Sequence, residues 1–450
     1  MSKNSINMLN GPLLKNILFY TIPIIFSSVL QLLFNAADLI VVGRFCGSVS
    51  VAAVGATTSL IHLLTNFFIG LSVGTGVTTA MSIGAGDKEY TKQIVHTAIP
   101  TALISGIILT VLGISLSENV LHLMSTPENV LPLSAIYMKI YFAGITATML
   151  YNFCAAILRA AGDTKSPLVY LTVSGILNVL LNLIFVIFLD MDVAGVALAT
   201  TISQILSALL TLYALIKRTD ACKLNLKEIK IYKKPFINLI KIGLPAGVQS
   251  SLFSISNVII QSSINSFGEV VVAGSAAAAN IEGFVYVIMN SFHQTALNFA
   301  GQNAGIKNYK RILNIYKDCI LCVVLTGLVL GSVCHLFADK LLSIYITDSS
   351  EAITQGIVRL TFICLPYFLA GIMDVTTGAI RGMGVSVTPM IITVIGVCVV
   401  RIVWIFSLFQ IERFHTPAGL YISYPISWIL TFIAELITFI YIYKKRLKNN

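Results

Sequence analysis

The chain is a succession of twelve apolar blocks, each about 20 to 30 residues long, the length a helix needs to cross a bilayer. The blocks fall at 13–42, 51–83, 94–116, 131–158, 166–189, 193–216, 237–267, 271–299, 311–337, 353–380, 386–409 and 417–443. Within them apolar side chains do not alternate at the period of a half-buried strand or of a surface helix. Hydrophobic residues make up 56% of the chain and charged ones 11%, roughly half the charged share of a soluble domain. The expected fold class is therefore an all-α integral membrane protein with twelve transmembrane helices.

Charge placement orients the spans. With the N-terminus in the cytoplasm, 22 of the 29 Lys and Arg residues fall in cytoplasmic segments. Only Arg44, Lys340 and Arg413 fall in outer loops, while Lys139, Lys241, Arg359 and Arg401 lie within span limits. The outer loops carry acids instead, among them Glu118, Asp190, Glu269, Asp348 and Glu351. That asymmetry predicts an even number of spans with both termini cytoplasmic. The net charge of +10 reads as a basic face near anionic lipid, so no nucleic-acid partner is expected. The abundance of Ile, Lys and Asn suggests an AT-rich genome and hence the plasma membrane of a prokaryote. The eight cysteines are scattered and read as small packing residues.

The chain also repeats itself. Shifted by about 222 residues, "YTIPIIFSSVLQLLFN" falls on "IGLPAGVQSSLFSISN", so that Pro23 meets Pro245. "ILRAAGDTKSP" likewise falls on "AIRGMGVSVTP", and "GAGDKEY" (84–90) pairs with "NAGIKNY" (303–309). The expected organisation is a cytoplasmic tail (1–12), an N-lobe of six spans (13–216), a cytoplasmic linker (217–236), a C-lobe of six spans (237–443) and a basic cytoplasmic tail (444–450). Two halves with six spans each insert the same way up and commonly pack around a central cavity, an architecture of transporters.

Few ionisable side chains lie well inside spans: Asp38, Glu282, Asp374, Arg401 and, nearer an end, Glu435. A charge at bilayer depth costs roughly 2.5–3.5 kcal/mol or more, so such a residue is usually functional or tightly paired. Asp38 has Asn35 one turn before it, span 5 carries Asn178 and Asn182 on one face, and span 6 opens with Thr200 and Thr201. A carboxylate facing a cavity that is alternately wet and dry can load and release a proton; with neighbouring oxygens it can hold Na⁺ instead. Asp38, Asn35, Asn178, Asn182 and Thr200 are the candidate coupling-ion set. Glu282 and Asp374 are candidates for a cationic substrate, or for a pairing with Arg381. For Arg401 a partner on another helix is expected. Phe34, Tyr151, Phe153, Phe253, Tyr286, Met289 and Met373 are the candidate walls of a substrate cavity, since a polyspecific cavity needs flat, repackable surfaces. Pro23 and Pro245 are candidate kinks.

The ordered set "AADLIVVGRFCG", "GAGDKEYTKQ", "LRAAGDTKSPL", "FAGQNAGIKNYKR" and "GAIRGMGVSVTP" resembles the MATE (multidrug and toxic compound extrusion) family over residues 12–443. The resemblance implies two six-helix bundles in a V. It also implies secondary active export of organic cations or amphipathic compounds in exchange for H⁺ or Na⁺. No cofactor, structural metal or enzymatic activity is implied, and a monomer is. In one archaeal and bacterial branch a span-1 Asp works with an Asn-x-x-x-Asp pair on span 5 and a Thr on span 6. Asp38, Asn178 and Thr200 match, whereas Asn182 stands where that branch has its second acid. The NorM-type branch would place an Asp at Ala370 and a Glu in span 7, and this chain has neither. The alternative function is a flippase for a lipid-linked or endogenous anionic substrate, a class that favours a cationic cavity and often more spans.

Overall fold

The computed structural model describes residues 5–124, 126–347 and 349–448. Lys3, Asp348 and the far ends of both tails lie outside the described residues. Those described are helical wherever they are regular. Eleven helices are long and apolar enough to cross a membrane: Leu13–Phe45, Ser48–Gly84, Lys88–Leu123, Leu131–Ala160, Lys165–Phe188, Asp192–Lys217, Lys233–Asn265, Glu269–Gly305, Tyr309–Leu336, Val387–Gln410 and Pro417–Lys448. A twelfth span is broken. Ser350–Ile363 and Tyr367–Gly382 together make span 10, with a 43° bend between them. The sequence reading has one span at 353–380; the break falls at Cys364-Leu365-Pro366, where proline offers no amide hydrogen and crowds the turn before it. Pro23 and Pro245, by contrast, sit inside continuous helices. Spans 5 and 11 each contain a wider helical turn, Ile184–Phe188 and Val394–Val399, a local expansion often found near functional sites.

The duplication is visible in the turns. Gly47 and Gly268 precede spans 2 and 8 with φ of 92° and 88°, and Gly162 and Gly384 follow spans 4 and 10 with φ of 87° and 84°. The pairing of 84–90 with 303–309 shifts by two residues, however. Asp87 caps span 3 by accepting from the Tyr90 amide, and Asn308 caps span 9 by accepting from Arg311. Gly86 therefore corresponds to Lys307, both with positive φ.

The chain forms two compact units that differ from the expected lobes at two places. Of the described residues, one unit holds those from Ile22 to Ser251 together with 5–7; the other holds Met8–Thr21 and those from Leu252 to 448. Spans 1 and 7 are each shared, and the contacts within each unit show why. In the first unit, span 7 lies against span 2 through two small-xxx-small faces, Gly70 with Gly74 and Gly243 with Gly247. A Cβ added at Gly70 would sit 2.2 Å from the Gly247 nitrogen, and one at Gly74 2.2 Å from the Leu239 carbonyl oxygen. Only glycine permits that backbone approach, which gains van der Waals contact where the hydrophobic effect between helices is absent. In the second unit, the start of span 1 lies against span 8. Thr21 Oγ1 and Thr295 Oγ1 share a 2.8 Å hydrogen bond, and the Tyr20 ring meets Phe299 edge-on at 5.3 Å.

Candidate functional site

Three helices of the first unit bring the site together. Span 1 carries Gln31, Asn35 and Asp38 at helical spacing, span 5 carries Ser174, Asn178 and Asn182, and span 6 carries Thr200, Ser203, Gln204 and Ser207. Asn182 Nδ2 donates to Asp38 Oδ1, and Thr200 Oγ1 donates to Asp38 Oδ2 at 3.2 Å. Asn178 Nδ2 donates to Thr200 Oγ1 at 3.3 Å, and Asn182 Nδ2 also reaches Asn178 Oδ1 at 3.4 Å. Four of the five predicted coupling-ion residues thus form one hydrogen-bonded chain around a single carboxylate. Asn35 is exposed; it lines the adjoining cavity but is not among the residues seen donating to Asp38.

That cavity, about 50 Å³, is lined by side chains that include Asn35, Asp38, Asn178, Thr200, Gln204 and Ser207. Its apolar wall includes Leu171 and Phe34; the Phe34 ring lies where a Cβ on Gly175 would be, at 1.8 Å. Among the described residues nothing hydrogen-bonds to Asn182 Oδ1, Gln204 Oε1 or Ser207 Oγ, all buried. Unpaired buried oxygens are costly, and native structures usually satisfy them with water or an ion. The cavity exceeds the roughly 10–15 Å³ that one water needs and falls far below the roughly 300–1,000 Å³ of a pocket for a drug-sized molecule. It therefore has room for water or a small ion and not for a drug-sized molecule. Sequence reasoning missed Gln31, Ser174, Ser203, Gln204 and Ser207, though polar residues three, four and seven apart on one helix were the available signal.

The second unit holds the other charges at depth. Glu282 is held in an ion pair by an arginine of the same unit. Arg359 Nε and Nη2 donate to its two oxygens, each at 2.8 Å, and Arg359 Nη1 donates to Ser275 Oγ at 2.6 Å. Glu282 thus pairs with Arg359, which corrects the alternative expectation of a pairing with Arg381. The signal for Arg359 was an arginine inside span limits with no acid beside it. Arg401 lies 3.9 Å from the Tyr424 ring centroid and donates to Ser427 Oγ at 2.9 Å, so aromatic faces and a hydroxyl take the place of an acid. Glu435 is fully buried, and its Oε1 accepts from Thr377 at 2.6 Å and from Thr393 at 2.9 Å. Asp374 is partly buried, and its backbone carbonyl accepts from His293 Nδ1 at 2.6 Å.

The predicted cavity walls divide into two groups. Phe153 is enclosed with Leu71, Val95 and Ile157, and Tyr151 with Ala155, Leu171 and Ala208. Met289 is fully buried, its sulfur 3.2 Å from where a Cβ on Gly371 would lie, and Met373 packs with Ile260 and Trp428. These four are core residues in this structure, because each faces the neighbouring helices of its own unit. Phe34 and Phe253 are half-buried and Tyr286 is exposed, so these three keep accessible surface.

Comparison with known proteins agrees with this architecture. The MatE family model matches twice, over residues 23–184 and 245–406, the duplication seen in the sequence at the same offset. The chain is 26% identical over 435 residues to the probable multidrug resistance protein YoeA of Bacillus subtilis, covering 95% of this chain and 93% of the relative. It is 25% identical to the probable multidrug resistance protein NorM of Thermotoga maritima, covering 86% and 84%. A solved outward-facing multidrug resistance MATE family transporter of the MOP superfamily matches in fold with a TM-score of 0.92 at 23% identity, covering 100% of this chain and 99% of that one. With two matched repeats, twelve spans in two bundles and multidrug transporters among its relatives, this multi-pass membrane protein belongs to the MatE family.

Proposed function

We propose that the protein is a secondary active exporter of organic cations or amphipathic metabolites in exchange for H⁺ or Na⁺, with Asp38 carrying the coupling ion. The supporting observation is the small polar cavity beside Asp38: the carboxylate accepts two hydrogen bonds, and two of the lining residues, Gln204 and Ser207, bury side-chain oxygens that have no partner among the described residues. Bare, the carboxylate is a charge that favours a hydrated surrounding. Neutralised by H⁺ or Na⁺, it tolerates a closed one. An ion drives a conformational exchange only if it binds the two states unequally, and this carboxylate supplies the inequality. The ion site is too small for the exported compound, so the substrate binds elsewhere. Asp374 and Tyr286 are the remaining side chains suited to a cation, because Arg359 already neutralises Glu282. Both termini then face the cytoplasm, as the basic segments require.

The test is transport in proteoliposomes loaded with a fluorescent lipophilic cation, under a pH gradient or a Na⁺ gradient imposed separately. Export driven by one gradient and not by its absence is expected. No export under either would overturn the reading and turn attention to lipid-linked or anionic substrates.

A further inference from the structure

The tail end of span 12 closes a second, unrelated cavity. It measures about 360 Å³ and is lined by Lys307, Tyr309, Val385, Tyr441, Lys445 and Arg446 among others. Three chain segments build it: the turn between spans 8 and 9, the turn between spans 10 and 11, and the last two turns of span 12. Three of its lining side chains are cationic and none is acidic. We propose that this cavity binds the phosphate headgroup of an anionic phospholipid from the leaflet at the C-terminal end of the spans.

Charge is the first reason. Basic side chains at a membrane surface attract anionic headgroups, and basic pockets between spans hold them specifically. The second reason is the apolar path that leads to the cavity. Ile433, Ile437 and Tyr441 follow one another four residues apart along span 12 and are 48%, 64% and 64% exposed. Such a ridge faces lipid tails, and Lys445 is its next member. Lys445 Nζ lies 5.9 Å from the Tyr441 ring centroid, so the cation sits where an acyl track ends. A soluble phosphate compound would have no use for that track. The third reason is the backbone of Lys307, at φ 58°. The matching turn of the first repeat uses Gly86 at φ 70°, as left-handed backbone favours. The second repeat instead keeps a long cationic side chain at a strained position, which points to a role for the side chain itself. On the charge-based orientation proposed above, the leaflet is the inner one. The binding site does not depend on the transport cycle.

The full-length protein, extracted and purified with an equimolar mixture of phosphatidylglycerol and phosphatidylcholine, provides the test, with retained lipid quantified by mass spectrometry. The expected result is selective retention of phosphatidylglycerol. It falls roughly thirtyfold in Lys445→Gln/Arg446→Gln, as loss of two headgroup contacts implies, and also falls in Lys307→Gly, which relieves the backbone and so does not threaten folding. Equal retention of both lipids, or unchanged phosphatidylglycerol in both variants, would overturn the proposal. So would loss of the retained lipid to millimolar inorganic phosphate, which would assign the cavity to a soluble phosphate compound.

Discussion

Asn182 donates its side-chain amide to Asp38 across 144 positions of the chain, and its own Oδ1 lies buried without a partner among the described residues. The amide stands where one branch of the family carries a second acid. The site is thus a one-carboxylate design, with neutral groups positioning the charge. A hydrogen bond to a charged group is worth about 1.5–3 kcal/mol. Asn182→Leu removes the donor and the unpaired oxygen together. Ion-driven transport in proteoliposomes should fall about tenfold or more, and the half-saturating concentration of the driving ion should shift. An unshifted value would show that Asn182 does not sense the ion.

Phe34 occupies the space that glycine leaves at position 175. Gly175→Ala pushes the ring off span 5, and overpacking of this kind costs about 1–3 kcal/mol. Transport should drop because Phe34 lines the cavity beside Asp38. Adding Phe34→Ala should restore thermal stability toward wild type. A double variant no more stable than Gly175→Ala alone would contradict the contact.

The Glu282–Arg359 pair predicts a different signature. Removing one partner of a buried pair leaves a lone charge and costs about 3–5 kcal/mol. Glu282→Gln should therefore lower the unfolding midpoint in detergent sharply. Glu282→Leu with Arg359→Met should recover most of it, since the two charges leave together. Recovery of stability with intact transport would show the pair to be structural.

The linker after span 6 carries a pH-dependent contact. Arg218, itself buried, donates to both oxygens of Asp220, and Asp220 Oδ1 also accepts from the Cys222 amide at 3.0 Å. Burial alone would push the Asp220 carboxyl up, but the Arg218 hydrogen bond and charge outweigh it and hold the group below its usual range. A carboxyl depressed in the folded state adds stability that is complete above its unfolded value near 3.9 and is lost as pH falls through the folded one. Protection of the Cys222 amide from hydrogen exchange should hold at pH 5 and weaken below pH 4 (about 3.9 being the unfolded value). In Asp220→Asn it should be weaker by roughly fivefold at neutral pH, or about 1 kcal/mol after screening. Equal protection in that variant would contradict the assignment.

Span number, duplication and the polar faces of spans 1, 5 and 6 that carry Asp38, Asn178 and Thr200 were legible in the sequence because each depends on local pattern. Apolar length marks a span, a constant offset marks a repeat, and polar residues one turn apart mark a face. Contacts between distant helices leave no such pattern. Arg359 faces Glu282 from 77 positions away, and nothing near either residue announces the other. The burial of Phe153 and Met289 was hidden for a related reason. In a chain this apolar, an aromatic side chain facing lipid, a cavity or the core has the same neighbours in sequence. The sharing of span 7 between units depends on Gly70, Gly74, Gly243 and Gly247 meeting in space, and each alone reads as an ordinary helix glycine.

The central claim is that Asp38 carries the coupling ion, and Asp38→Asn tests it most directly, because an amide keeps the shape of the carboxylate and removes its charge. Gradient-driven export by the purified variant should be abolished under both pH and Na⁺ gradients, while the variant folds with a near-wild-type unfolding midpoint. Export that continues at the wild-type rate under either gradient would contradict the account and move the coupling site to an acid of the second unit.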